Sequence, residues 1–238
     1  MMIVGHRGAR LEAPENTLEA FEHAQAKGCI AFELDVQLSA DQTLMVFHDS
    51  SLKRVTGKRG LLVHQNAAWL KLLDARRNTP GWPTRCTIPT LRDVLNCGSH
   101  VIDWQLEVKP TSRHRLRILA QKLDSLLNEL RPDARITITS SSKWFLKHMQ
   151  ANYPHYRCGY VAEWGWLEPV KVAVQLECAL LALNDSLVNE DRLALAKQHK
   201  LEVSVWTVNE LDRMKTLQYM GVDSIITDKP TTATQYFS

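Results

Sequence analysis

The sequence lacks several features that would each have set its class. No apolar run reaches the roughly 18 residues that a membrane-spanning helix needs. No CxxC pair exists, and the five cysteines (Cys29, Cys86, Cys97, Cys158, Cys178) are odd in number and widely scattered. Neither a disulfide framework nor a structural zinc site is therefore supported. Neither sign of charge dominates, since 29 Lys+Arg stand against 26 Asp+Glu for a formal net charge of +3. No stretch interleaves basic with aromatic side chains, which argues against a nucleic-acid partner. The opening MMIVGHRGAR has no basic segment followed by a long apolar one, so no secretory signal is expected. These absences predict a reduced, cytoplasmic protein without stable membrane association.

What is present is an ordinary globular composition, 45% apolar and 23% charged, over 238 residues. We expect one domain over 1–238. Short apolar or β-branched runs alternate with helix-length segments. The runs are MIVGH (2–6), AFELDV (31–36), LMVFH (44–48), WQLEV (104–108), ITITS (136–140), RCGYV (157–161), ALLAL (179–183), EVSVW (202–206) and SIIT (224–227). Such alternation predicts βαβ units and a parallel sheet. Helices are expected over 16–28, 90–98, 112–130, 142–153, 166–174, 190–200 and 209–220. Asn16 is the expected cap of the first with Glu19 as its capping-box partner, Thr111 or Ser112 that of the third, and Asn209 that of the last.

The linker QLSADQT between runs 31–36 and 44–48 is too short for a crossover helix, so these two must form an antiparallel hairpin. A turn near Ala40-Asp41 places Asp35 opposite Val46 and Glu33 opposite His48. Eight parallel strands and one returning strand remain, which fits an α/β fold of the (β/α)8 TIM-barrel type. An open doubly wound sheet is the runner-up. It is disfavoured because no GxGxxG follows the first strand and because polar residues gather at several strand ends.

In a barrel the chemistry sits at the C-terminal strand ends. Those ends carry His6 and Arg7, Glu33 and Asp35, His48 and Asp49, Glu107 and Lys109, and Trp206. Spacing of two puts each acidic pair on one strand face, where Val, Ile or Leu would be ordinary. Three carboxylates at one mouth make an oxygen-rich site suited to one hard divalent cation, Mg²⁺ or Ca²⁺. Two histidines suit acid–base work, and Arg and Lys suit an anionic, phosphate-bearing substrate. The set reads as phosphoryl-ester cleavage. Simpler roles compete for some members: an internal ion pair for Glu107 with Lys109, a helix cap for Asn16, barrel closure or helix capping for Asp228, core packing for Trp206.

Seven ordered motifs extend this reading. His6-Arg7-Gly8, Ala13-Pro14-Glu15-Asn16-Thr17, Glu33-Leu34-Asp35-Val36 and His48-Asp49 with Leu52-Lys53-Arg54-Val55-Thr56 open the series. Ile88-Pro89-Thr90-Leu91, Glu107-Val108-Lys109 and Trp206-Thr207-Val208-Asn209, with Gly221-Val222-Asp223 through Pro230, complete it. Over nearly its whole length the chain resembles the glycerophosphodiester phosphodiesterases, barrels of the phospholipase C-like type. The resemblance implies a small insertion after the second strand, here 50–87, and a divalent metal on Glu33, Asp35 and Glu107. It implies His6 and His48 as the acid–base pair and Arg7 and Lys109 on the phosphate. Trp206 would line the substrate pocket, with Glu15 and Asn16 supporting from behind. The implied reaction converts glycerophosphodiesters, such as glycerophosphocholine and glycerophosphoethanolamine, to glycerol 3-phosphate and an alcohol. A lysophospholipase D-like enzyme and a catalytically dead, phosphodiester-binding barrel are the alternatives. The chain departs from the family pattern at Val55, at Lys200 where glycine is common, and at Ser224. No motif covers Trp164 and Trp166, and no feature sets the oligomeric state.

Overall fold

The computed structural model describes residues 1–98, 100–165 and 167–237. Trp166 lies outside the described residues. The nine expected runs all form strands: β1 Met2–His6, β2 Ala31–Leu38, β3 Leu44–Val46, β4 Asp103–Val108, β5 Arg135–Ser140, β6 Arg157–Ala162, β7 Leu180–Asn184, β8 Glu202–Trp206 and β9 Ser224–Thr227. Neighbours run in the order β1-β9-β8-β7-β6-β5-β4-β2-β3, and β1 also pairs with β2, so eight parallel strands close into a barrel. Closure brings residues from opposite ends of the chain together, with Gly5 level with Thr227 on one side and His6 level with Glu33 on the other.

The returning strand β3 is antiparallel to the far end of β2. Its register differs by one residue from the expectation. Val36 faces Val46 and Leu38 faces Leu44, which centres the turn on Asp41. The Phe47 amide, and not Val46, reaches back to the Asp35 carbonyl at 3.0 Å. Asp41 anchors the turn by accepting hydrogen bonds from Ser39 Oγ and the Ala67 amide. An alternating pattern alone leaves a hairpin register open by a residue, and turn chemistry decides it.

Ten helices are described: α1 Leu18–Gln25, α2 Lys53–Thr56, α3 Ala67–Leu70, α4 Leu91–Cys97, α5 Arg113–Leu130, α6 Lys143–Asn152, α7 Pro169–Gln175, α8 Glu190–Gln198, α9 Leu211–Tyr219 and α10 Pro230–Phe237. Ser112, Ser142 and Asn189 cap α5, α6 and α8, and Thr90 caps α4 in a reciprocal box with Asp93. Two expected caps are corrected. Thr17, not Asn16, caps α1, and Asn209 caps nothing because α9 starts after Glu210. Both asparagines are used by the site instead.

Between the strands and the outer helices lies the main core, where Phe21 of α1 meets Phe32 and Trp104 edge-on at 5.5 Å each. This area supplies the bulk of the burial free energy. Inside the barrel, Val4, Ala31 and Ile226 pack together and Gln105 reaches across to Ser204 at 3.3 Å. The lower end is closed by ions. Arg135, Asp103, Arg157 and Glu202 are the first residues of their strands and pair with one another. The segment between β3 and α4 packs its own small cluster, including Phe47, Leu52, Val55, Leu62, Leu70 and Ile88. Burial pushes the Cys29 and Cys158 thiols up to about 11, so both act as small apolar groups. Among the described residues no helix is long and apolar enough to cross a membrane.

Candidate active site

The turn after β1 creates the site's first two groups. Arg7 and Gly8 both take positive φ, +51° and +85°, which swings the chain sharply back over the strand end. Only glycine fits the second position, since a Cβ there would stand 2.7 Å from the Ala20 Cβ. His6 is left pointing inward from the last position of β1, and Arg7 lies just above it. Both side chains are buried.

His6 and His48 are oriented alike. His6 Nδ1 bonds Asp228 Oδ1 at 2.6 Å, and His48 Nδ1 bonds Asp49 Oδ1 at 2.7 Å. A carboxylate on Nδ1 holds the proton there and leaves Nε2 as the working nitrogen. Burial lowers the His6 pKa, and the Asp228 bond opposes that. Burial would raise the Asp228 pKa, but the bond to and charge of His6, the bond from Asn209 and the nearby Arg10 together outweigh it and hold the carboxyl at about 2. Asp228 is in turn gripped by Asn209, whose Nδ2 donates at 2.9 Å. Asp49 is gripped by Arg54, through Nε at 2.7 Å and Nη2 at 2.9 Å.

Glu33, Asp35 and Glu107 converge, with one oxygen of each within 4.8 Å of the others. Lys109 Nζ sits 2.8 Å from both Asp35 Oδ1 and Glu107 Oε1, so the ion pair read from the sequence is present and is shared. Arg7 Nε lies 3.1 Å from Asp35 Oδ2 and its Nη1 donates to Glu15 Oε1 at 2.9 Å. Burial disfavours the Asp35 anion, yet Lys109 and Arg7 hold it well below the ordinary carboxylate range. Glu33 goes the other way. Burial, then Asp35 and Glu107, push its carboxyl well above that range. Its Oε1 is buried with no partner among the described residues.

A cavity of about 260 Å³ opens onto these groups. His6, Arg7, Glu33, His48, Glu107, Lys109 and Trp206 all line it, joined by Arg10, Glu163 and Thr207. Three expected site residues, Asp35, Glu15 and Asn16, lie behind the wall. Glu15 accepts from Arg7 Nη1 and from Arg54 Nη1 and Nη2, and Asn16 at φ +56° donates Nδ2 to Asp35 Oδ2 at 2.7 Å. Sequence reasoning placed Asp49 at a functional strand end without a role, and missed Asp228, Asn209, Arg54 and Arg10 as members of the network. Asp228 was legible in principle, because in a closed barrel the last strand adjoins the first. Trp206 is half-buried at the cavity wall, with its Nε1 donating to the Ala182 carbonyl at 3.1 Å.

The residues present fit a divalent cation. Six carboxyl groups (Glu15, Glu33, Asp35, Asp49, Glu107, Asp228) meet four permanent cations (Arg7, Arg10, Arg54, Lys109), a surplus of two negative charges once Glu33 gives up its proton. The orphaned Glu33 oxygen is the atom that such an ion would satisfy.

Comparison with known proteins gives a consistent picture. The family model "Glycerophosphoryl diester phosphodiesterase family" matches residues 6–232. A glycerophosphodiester phosphodiesterase from Caldanaerobacter subterraneus subsp. tengcongensis is 29% identical over 232 residues, 97% of this chain and 95% of that protein. The human glycerophosphodiester phosphodiesterase 1 is 25% identical, over 94% of this chain and 77% of its own. Among solved structures, a phosphodiesterase from Oleispira antarctica, determined in complex with the product sn-glycerol 3-phosphate, superimposes with a TM-score of 0.92. It is 27% identical and covers 100% of this chain and 96% of that one.

Proposed function

Because the chain belongs to the glycerophosphoryl diester phosphodiesterase family, we propose that it hydrolyses soluble glycerophosphodiesters to glycerol 3-phosphate and an alcohol, with one divalent cation, Mg²⁺ or Ca²⁺, on Glu33, Asp35 and Glu107. One observation carries the reading: two carboxylate-oriented histidines face the same small cavity as Glu33 and Glu107 of the acidic cluster and the cations Arg7 and Lys109. Arg7 and Lys109 take the phosphate oxygens, since their carboxylate partners hold them at the cavity wall. His6 and His48 divide the proton work. One Nε2 accepts the proton of the attacking hydroxyl, and the other returns a proton to the departing alkoxide. A bound cation would polarise a phosphoryl oxygen and neutralise the charge that develops on it. Trp206 walls the pocket beside the alcohol or glycerol part. The reaction is assigned to a reducing cytoplasm, where the five free thiols stay reduced.

The test is glycerol 3-phosphate release from glycerophosphocholine by metal-stripped protein, before and after adding Mg²⁺ or Ca²⁺. Release only after addition is expected. His6→Ala and His48→Ala should each lower kcat about 10²–10⁴-fold while changing KM far less. Folded protein that releases nothing under saturating metal would overturn the reading, as would wild-type turnover in either variant.

A further inference from the structure

The cavity is electrically divided. Its cations Arg7, Arg10 and Lys109 come from the ends of β1 and β4. The wall built from β6 and β7, on the far side of the barrel from β1, presents Val161 and Ala182. At the rim of that wall stands Glu163, one residue beyond β6 and two beyond Val161, so both side chains face the cavity. Glu163 makes no ion pair or hydrogen bond among the described residues, although it shares the cavity with three cations. It is the one carboxylate of the cavity lining outside the candidate metal cluster. Trp206 of the neighbouring β8 is fixed against the same wall by its bond to the Ala182 carbonyl.

A diester seated with its phosphate on Arg7 and Lys109 directs one substituent toward this wall. An unpaired carboxylate beside an immobilised indole and two aliphatic side chains is the chemistry that receives an alkylammonium group. We propose that Glu163 and Trp206 form a subsite for a positively charged alcohol. The protein would then favour diesters whose alcohol bears an ammonium group over those whose alcohol is neutral. The inference rests on the phosphodiesterase reading above. Because Glu163 is exposed at the rim, its contribution is screened by salt.

The experiment compares kcat/KM for glycerophosphocholine, glycerophosphoethanolamine and glycerophosphoglycerol in the wild type, Glu163→Gln and Glu163→Lys. At low ionic strength the wild type should prefer the two diesters of cationic alcohols about tenfold. Glu163→Gln should bring that ratio to within about threefold of unity, and Glu163→Lys should invert it. Raising salt should shrink the preference of the wild type and leave that of Glu163→Gln unchanged. If all three diesters are cleaved and the ratio is the same in wild type and Glu163→Gln, the subsite is overturned while the phosphodiesterase reading stands. If the wild type cleaves none of the three, both fall together.

Discussion

Each histidine reaches the cavity through Nε2 because an aspartate occupies Nδ1, and each aspartate is itself held by a second residue. This chain of support is what makes an imidazole a directed acid or base, since a free ring would sample other rotamers and tautomers. Asp228 is therefore a positioning residue for the reaction. Asp228→Asn preserves size and leaves an amide at Nδ1 but removes the negative charge that stabilises an imidazolium. It should reduce kcat about 10²–10⁴-fold with a smaller effect on KM and an unchanged circular dichroism spectrum. Turnover within about threefold of wild type would show that the His6–Asp228 bond does not matter to the chemistry. The sequence motifs pointed to both histidines, yet Asp228, 222 positions from His6, read as a barrel-closure or helix-capping residue. Their contact exists only once β9 closes on β1, a pairing invisible to any local pattern.

At the scale of elements, the same backbone conformation carries opposite consequences at two positions. Gly8, at φ +85°, lies where a Cβ would meet the Ala20 Cβ at 2.7 Å and the Ala20 carbonyl carbon at 2.9 Å. Gly8→Ala should destabilise by about 1–3 kcal/mol and weaken activity, because α1 must shift and the Arg7 turn moves with it. Lys200 ends α8 at φ +56°, the left-handed position after the cap where glycine is the ordinary residue. Lys200→Gly should stabilise by about 0.5–1 kcal/mol, a rise in Tm of about 1–4 °C for a chain of this size. Thermal denaturation of the two variants checks both signs, and a lower Tm for Lys200→Gly would refute the strain argument. Strand positions were legible because each run is short, apolar and bounded by helix signals. Caps were less so. Asn16 and Thr17 are both good capping residues one step apart, and the choice fell to Thr17 only because Asn16 is drawn to Asp35. Asn209 was likewise drawn from a capping role to Asp228.

For the whole molecule, the acidic cluster sets how stability depends on metal and pH. In the metal-free protein, burial beside Asp35 and Glu107 raises the Glu33 pKa well above its ordinary value. A carboxyl raised on folding subtracts stability as pH climbs from the unfolded value, about 4.3, toward the folded one. A cation that replaces the Glu33 proton removes this penalty, so its stabilising effect should grow with pH across that window and level off above it. At a concentration of 100 times its Kd the ion should add about 2.7 kcal/mol, or about 5–10 °C in Tm. Just above the window's lower edge, near pH 5, binding should expel about one proton per ion. Calorimetry in two buffers of different ionisation enthalpy reads that proton directly. Glu33→Gln supplies the control. It keeps the shape but cannot release a proton, so the buffer dependence should vanish and the ion should bind more weakly. Binding to the wild type with no proton release near pH 5 would mean that Glu33 is already ionised without the metal, and that the surplus charge of the site is balanced in another way.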